Sequence, residues 1–186
     1  MEQIKIIFFV LASFFGIEEG KIAADKTTVS VYPQNKRIEI IQEDLFTVIQ
    51  SKKDSILVLE QWNNLLFWKE RNTNWSKELN GFTAKNFSIT YTENTIKPNL
   101  TLTYLKEEDL RALGIWYNAE SNRFSINHIP RNNIESESGK LIDNYWNFDG
   151  DKSFSFTIEP FLKMSEDYKK FKDGRKRFDE IMNSDF

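Results

Sequence analysis

Cysteine is absent from the 186-residue chain, and histidine occurs once, as His128. The first absence removes disulfides, thiolate metal sites, cysteine nucleophiles and a lipidated N-terminal cysteine together, so packing alone must hold the fold. The second excludes His-rich metal sites and any catalysis that needs two imidazoles. Glycine and proline are sparse, at 7 and 4 residues, and no glycine-rich phosphate loop occurs. A strong charge of one sign is missing as well. A net charge of −3 and a pI near 5.4 leave no basic field of the kind that phosphate neutralisation requires, which argues against a nucleic-acid partner. No repeat, linker or low-complexity block divides the chain.

What is present is an ordinary globular mixture, 40% hydrophobic and 28% charged, with a high aromatic share of 15%: 16 Phe, 6 Tyr and 5 Trp. Aromatic side chains favour strands and bury large areas, so the composition points to a Phe-rich β core in one domain.

The N-terminus reads as an address. Lys5 precedes the apolar run Ile6–Ile17, too short for a membrane span of roughly 20 residues but suited to a secretory leader. Ile22-Ala23-Ala24 offers small residues for cleavage. The expectation is a signal peptide over 1–24, a single β-rich domain over 25–186, no membrane span in the mature chain, and a periplasmic or extracellular location. Glu2, Glu18, Glu19 and Lys21 dilute the pattern; the competing readings are a buried N-terminal strand or helix and an uncleaved anchor. Three Asn-x-Ser/Thr triplets begin at Asn74, Asn86 and Asn99, acceptor sites in a eukaryotic secretory setting and chance occurrences otherwise.

Beyond the leader, Thr27–Tyr32 alternates as a strand and stops at Pro33, with a second strand over Arg37–Ile41. Asp44 is expected to cap a helical stretch at Leu45–Ile49, and Asp54 or Ser55 a longer one over Ile56–Trp68, where Ile56, Leu59, Trp62 and Leu66 recur at helical spacing. A hairpin turning at Asn63-Asn64 is the alternative there. From Phe87 the period is two: Phe87–Tyr91, Leu100–Tyr104, Leu113–Tyr117, Phe124–His128, Leu141–Phe148 and Ser153–Glu159, with turn residues between. Ser165 is placed as the cap of a C-terminal helix, interrupted at Gly174 and fraying beyond. The fold class expected is α+β or mainly β. Its core is an antiparallel meander of six or more strands, either a sandwich or a barrel resembling a lipocalin in outline, with one or two helices packed on it and a C-terminal helix.

Parity assigns faces along such strands. Phe87, Ile89, Leu100, Leu102, Ile115, Phe124, Ile126, Phe154, Phe156 and Ile158 share the core side; Ser88, Thr90, Thr101, Thr103, Trp116, Ser125, Asn127, Ser155 and Thr157 share the wet side. Four strands end their apolar face on a ring with a polar tip: Tyr91, Tyr104, Tyr117 and His128. In a sequential meander Tyr91 and Tyr117 share one rim, Tyr104 and His128 the other, and one rim would form the mouth of an apolar pocket. Trp116 and Trp146, beside Asn118 and Asn144, suggest a surface on which sugar rings stack.

Other chemistry fits poorly. No Gly-x-Ser-x-Gly elbow accompanies His128, and the acidic groups Glu107-Glu108-Asp109, Glu135 and Glu137 fall in polar turns. Asn147–Asp151 resembles a calcium loop, but in that register Phe156 occupies the twelfth position, where a carboxylate is required. Asp149-Gly150 therefore reads as a hairpin turn. No metal, cofactor or catalytic residue is assigned. Three functions follow: an exported non-catalytic binding protein for a small apolar ligand or glycan, with Tyr91, Tyr104, Tyr117, His128, Trp116 and Trp146 as its ligand-binding residues; a structural or protein-interaction component of the cell envelope; and a hydrolase using His128 or carboxylates.

Overall fold

The computed structural model describes residues 6–17, 19–92, 95–172 and 175–183, with the backbone alone for 175–177 and 182. It is mainly β, with two antiparallel sheets. The larger has six strands in the order β3-β4-β2-β1-β10-β7: β1 Ile22–Tyr32, β2 Arg37–Thr47, β3 Ala84–Tyr91, β4 Ile96–Thr103, β7 Ile134–Glu135 and β10 Phe154–Ile158. The smaller has four, in the order β5-β6-β9-β8: β5 Ile115–Asn118, β6 Arg123–Asn127, β8 Lys140–Ile142 and β9 Tyr145–Asp149. There is no closed barrel. The expected run from the second hairpin into Leu113–Tyr117 breaks because a 3-10 turn, Glu107–Leu113, carries the chain off β4 and into the smaller sheet.

The alternation sets the core as parity requires. Phe87, Leu100, Ile40, Val29 and Phe156 are paired one to the next across five strands of the larger sheet, and all five are buried. The smaller sheet docks at one end of this surface: Phe148 stacks on Phe154 at 4.2 Å between ring centroids, and Phe124 meets Phe154 at 5.3 Å. Asp149-Gly150 joins the two sheets and is not a hairpin turn, because β9 and β10 lie in different sheets. The Gly150 N–H donates to the Asn122 carbonyl at 2.9 Å, and the Asn122 Oδ1 accepts the Tyr117 hydroxyl at 2.9 Å. Asn122, left-handed at φ 47°, thus ties the β5–β6 turn to the crossing.

Asp44 caps no helix. It lies within β2 at φ 53°, where pairing with Asp25 lapses. Positions 38, 40 and 42 are buried before it, and 45, 46 and 47 all are after it; on β1 the buried positions shift from 22 and 24 to 27, 29 and 31. One left-handed residue rotates the strand and lets both halves of the β1–β2 ribbon face apolar surroundings.

The ambiguous 56–68 segment is helical: α1 spans Lys52–Leu66, and its cap is Ser51, whose hydroxyl accepts the Asp54 N–H at 3.1 Å. Its buried face is Val58, Trp62 and Leu65, one step around from the expected stripe, and Ile56 is exposed. Ile56–Leu59 is continuously apolar, so helical spacing fits two adjacent faces equally well. After Ser165 only a short helix forms, α2 Glu166–Lys169, and the Ser165 hydroxyl makes no cap bond. Gly174 lies outside the described residues. α3, Arg175–Met182, does not fray: Phe178 and Ile181 are buried, and Phe178 sits edge-on to Trp62 at 5.3 Å.

The segment from Ile6 to Phe15 is threaded through the core. Ile6, Leu11, Ala12, Phe14 and Phe15 are buried, and Phe15 stacks on Trp75 at 4.7 Å. The Phe8 carbonyl accepts from the buried side chain of Gln42 at 2.7 Å, and the Phe9 carbonyl accepts the Ala24 N–H at 2.9 Å. Ile22-Ala23-Ala24, the stretch that reads as a cleavage site, is paired with Leu45–Thr47 inside β1. Among the described residues no helix is long and apolar enough to cross a membrane.

Candidate functional site

The two sheets do not close against each other along their whole length. Where they diverge, a cleft of about 590 Å³ remains, lined by the N-terminal segment (Ile6–Phe9), by Ile126 and Asn127 of β6, and by Phe156 and Ile158 of β10. Loop residues Ile129, Arg131, Asn132, Pro160 and Phe161 complete its wall. Phe8 lies edge-on to Phe156 at 5.9 Å and Phe9 edge-on to Phe161 at 5.5 Å, so the aromatic wall is fixed by mutual packing. Size and lining match a small-molecule site, mostly apolar with a few polar groups.

Those polar groups sit on a rigid support. Pro130 opens a 3-10 turn, Pro130–Asn132, that ends at Asn133 in the left-handed conformation at φ 45°. The Asn132 carbonyl accepts the Glu159 N–H at 3.1 Å, which ties the turn to the end of β10. Arg131 projects from this turn as an exposed side chain, and among the described residues it makes no ion pair or hydrogen bond.

Across β7 lies a second, more polar cleft of about 840 Å³, which shares Ile134 and Phe156 with the first. It is lined by His128, Trp146, Ser136, Ser155, Thr157, Glu135, Glu137, Glu159 and Lys26. His128 and Trp146 both stand at the Asn127–Tyr145 end of the β6–β9 pairing and are therefore brought together. Nδ1 of His128 and Nε1 of Trp146 are both buried without a hydrogen-bond partner, an arrangement that costs free energy. The hydroxyls of Ser136 and Ser138 are committed to the Ser155 carbonyl, and His128 makes no side-chain bond to a serine or carboxylate among the described residues.

The remaining expected site residues are dispersed. Tyr104 is 1% exposed with its hydroxyl unpartnered; burial, with the neighbouring Glu107 carboxylate, pushes it up to about 12. Burial raises the Glu107 carboxyl too, but the Lys36 hydrogen bond and charge bring it below its ordinary value. Tyr91 is exposed beside Phe178 at 5.8 Å, and Tyr117 is spent on Asn122 and on Phe124 at 4.8 Å. No shared tyrosine rim forms, because β3–β4 and β5–β6 belong to different sheets. Trp116 and Trp146 also part company: Trp146 pairs with Ile126 on the inner side of the smaller sheet, while Trp116 pairs with Ser125 on its outer side, exposed beneath Arg111. Leu141, Ile142 and Tyr145 expose apolar surface along the β8–β9 edge. No group of three or more His, Asp or Glu gathers to hold a metal among the described residues.

Sequence reasoning missed the walls of the apolar cleft. Ile6–Phe9 looked like a leader, and Ile129, Arg131 and Phe161 lay in connecting segments. The available signal was an apolar side chain placed next to proline outside any strand, at Ile129-Pro130 and Pro160-Phe161. Comparison with protein-family models, with curated proteins and with solved structures gives no match.

Proposed function

We propose that the protein is an exported, non-catalytic binding module that keeps its N-terminal run in the folded chain and holds a small apolar ligand in the cleft between its two sheets. The observation that supports this most strongly is the cleft itself: about 590 Å³ of largely apolar space walled by Phe8, Phe9, Phe156 and Phe161. Clefts of this size with a mostly apolar lining and a few polar groups are the usual form of a small-molecule site. The direct test is titration with a neutral apolar dye, 1-N-phenylnaphthylamine, whose emission rises on leaving water. Saturable binding at micromolar dye, abolished by Ile129→Trp at the exposed mouth, is expected; the absence of saturable binding would overturn the reading. Export is read from the intact mass and N-terminal residue of the protein recovered from its host's extracytoplasmic fraction.

A glycan is the second reading, favoured by the polar cleft in which Trp146 and His128 meet hydroxyls and carboxylates. Oligosaccharide titrations followed by indole fluorescence, with Trp146→Phe as control, test it. If both titrations are blank, a protein partner in the cell envelope takes precedence, and Leu141, Ile142 and Tyr145 on the β8–β9 edge are the surface to probe.

A further inference from the structure

We infer that the ligand of the apolar cleft is an anionic single-chain amphiphile: an acyl tail lies between Phe8, Phe9, Phe156 and Phe161, and its carboxylate meets Arg131. This deepens the preceding reading and rests on it.

The inference follows from charge complementarity at the cleft. Among the described residues, Arg131 is the only charged side chain on the cleft wall, with Asn127 and Asn132 as its polar companions. A neutral hydrocarbon would leave this cation unused, and an amine would meet it as a like charge. A carboxylate matches the planar fork of a guanidinium through two parallel N–H···O bonds, and Arg keeps its charge at any physiological pH. Arg131 is free to serve: it has no partner of its own, and its backbone is held by Pro130 and by the Glu159–Asn132 bond, so little order must be gained on binding. Glu159 lines the adjoining groove with Arg131 and Lys163 without pairing with either.

Displacement of 1-N-phenylnaphthylamine by three ligands of equal chain length, dodecanoate, dodecanol and dodecylamine, tests this in the full chain below their micellar concentrations. Dodecanoate should compete roughly tenfold better than dodecanol, the effect of one hydrogen-bonded ion pair, and dodecylamine should compete worst. Arg131→Gln should bring acid and alcohol to equality while dye binding persists, and Arg131→Glu should reverse the order in favour of the amine. Arg131 is exposed, so neither variant disturbs the core, and circular dichroism confirms the fold. Equal competition by acid and alcohol in the unaltered protein, with the dye still bound, refutes the anionic head and leaves the cleft reading standing. Failure of the dye itself to bind refutes both.

Discussion

Phe15→Ala is the sharpest perturbation of this fold, because it asks whether the N-terminal run is part of the folded protein at all. Phe15 is 4% exposed. It stacks on Trp75 at 4.7 Å, lies edge-on to Phe87 at 5.0 Å and is tilted on Trp68 at 6.2 Å. Truncating a buried phenylalanine to alanine removes its transfer free energy and leaves a cavity, a cost of about 3–5 kcal/mol. For a chain of this length each kcal/mol lowers the melting temperature by roughly 2–4 °C, so a fall of about 6–20 °C is expected. The assay is thermal and urea unfolding followed by tryptophan emission, run on protein whose N-terminus has been verified by mass. Leu162→Ala, an exposed position, is the control. The ring contacts with Trp68 and Trp75 add a second readout, a change in native emission. A midpoint shift below the equivalent of about 0.5 kcal/mol, the range of inert surface changes, would refute the packing described for residues 6–17. It would restore the reading of that segment as a removable leader.

Three further outcomes are expected. Tyr104→Phe removes a buried hydroxyl that has no partner, so it should stabilise by about 1 kcal/mol in chemical denaturation. Burial raises the tyrosine's folded value to about 12, above its unfolded one, so the shift itself contributes nothing at pH 7 and stability drains away as pH rises from the unfolded value towards the folded one. The Phe variant should flatten that alkaline loss, and an unchanged alkaline profile would contradict the burial. Gly150→Ala would place a Cβ 2.7 Å from the Asn122 carbonyl oxygen and 2.1 Å from its Oδ1, forcing apart the crossing between sheets at about 1–3 kcal/mol; thermal unfolding indistinguishable from the parent would show that the turn relaxes freely. Phe178→Ala strips α3 of its contact with Trp62, so hydrogen exchange should quicken first over residues 175–183 and iodide should quench Trp62 more readily.

How much of this architecture the sequence revealed depends on whether a pattern has one geometric solution. Period-two alternation over Phe87–Tyr91 and Leu100–Tyr104 has one, and the buried row Phe87-Leu100-Ile40-Val29-Phe156 follows from it. Helical spacing over 56–66 has two, because four consecutive apolar residues open that run, and the buried face settles on Val58, Trp62 and Leu65. Pairing partners are not encoded by parity at all. Local alternation says which side of a strand is apolar but not which strand lies beside it, so the meander assumption placed Tyr91 with Tyr117 and Tyr104 with His128, whereas the chain changes sheets between β4 and β5. Asp44 shows the same limit from inside a strand: a polar residue that resembles a helix cap locally serves as a left-handed swivel once its partner strand is present.

The sites follow the same logic, with a consequence for where to look in chains of this kind. His128 and Trp146 were legible as amphipathic aromatics, and they do share a cleft, because β6 and β9 are neighbours. The apolar cleft was illegible because it is assembled from what strand reasoning discards: a run resembling a leader, a 3-10 turn behind Pro130 and a loop behind Pro160. Strands offer their inner faces to one another and consume them, as Phe124, Phe148 and Phe154 do. Apolar side chains in connecting segments have no strand opposite them. In this fold Ile129 is of that kind, and Phe161, packed on Phe9 and Phe46, lines the same cleft beside an arginine with no partner. Surplus apolar surface next to an unpaired charge is what an amphiphile complements, so the loops flanking Pro130 and Pro160, more than the strand-end tyrosines, are where substitutions should change binding without changing stability.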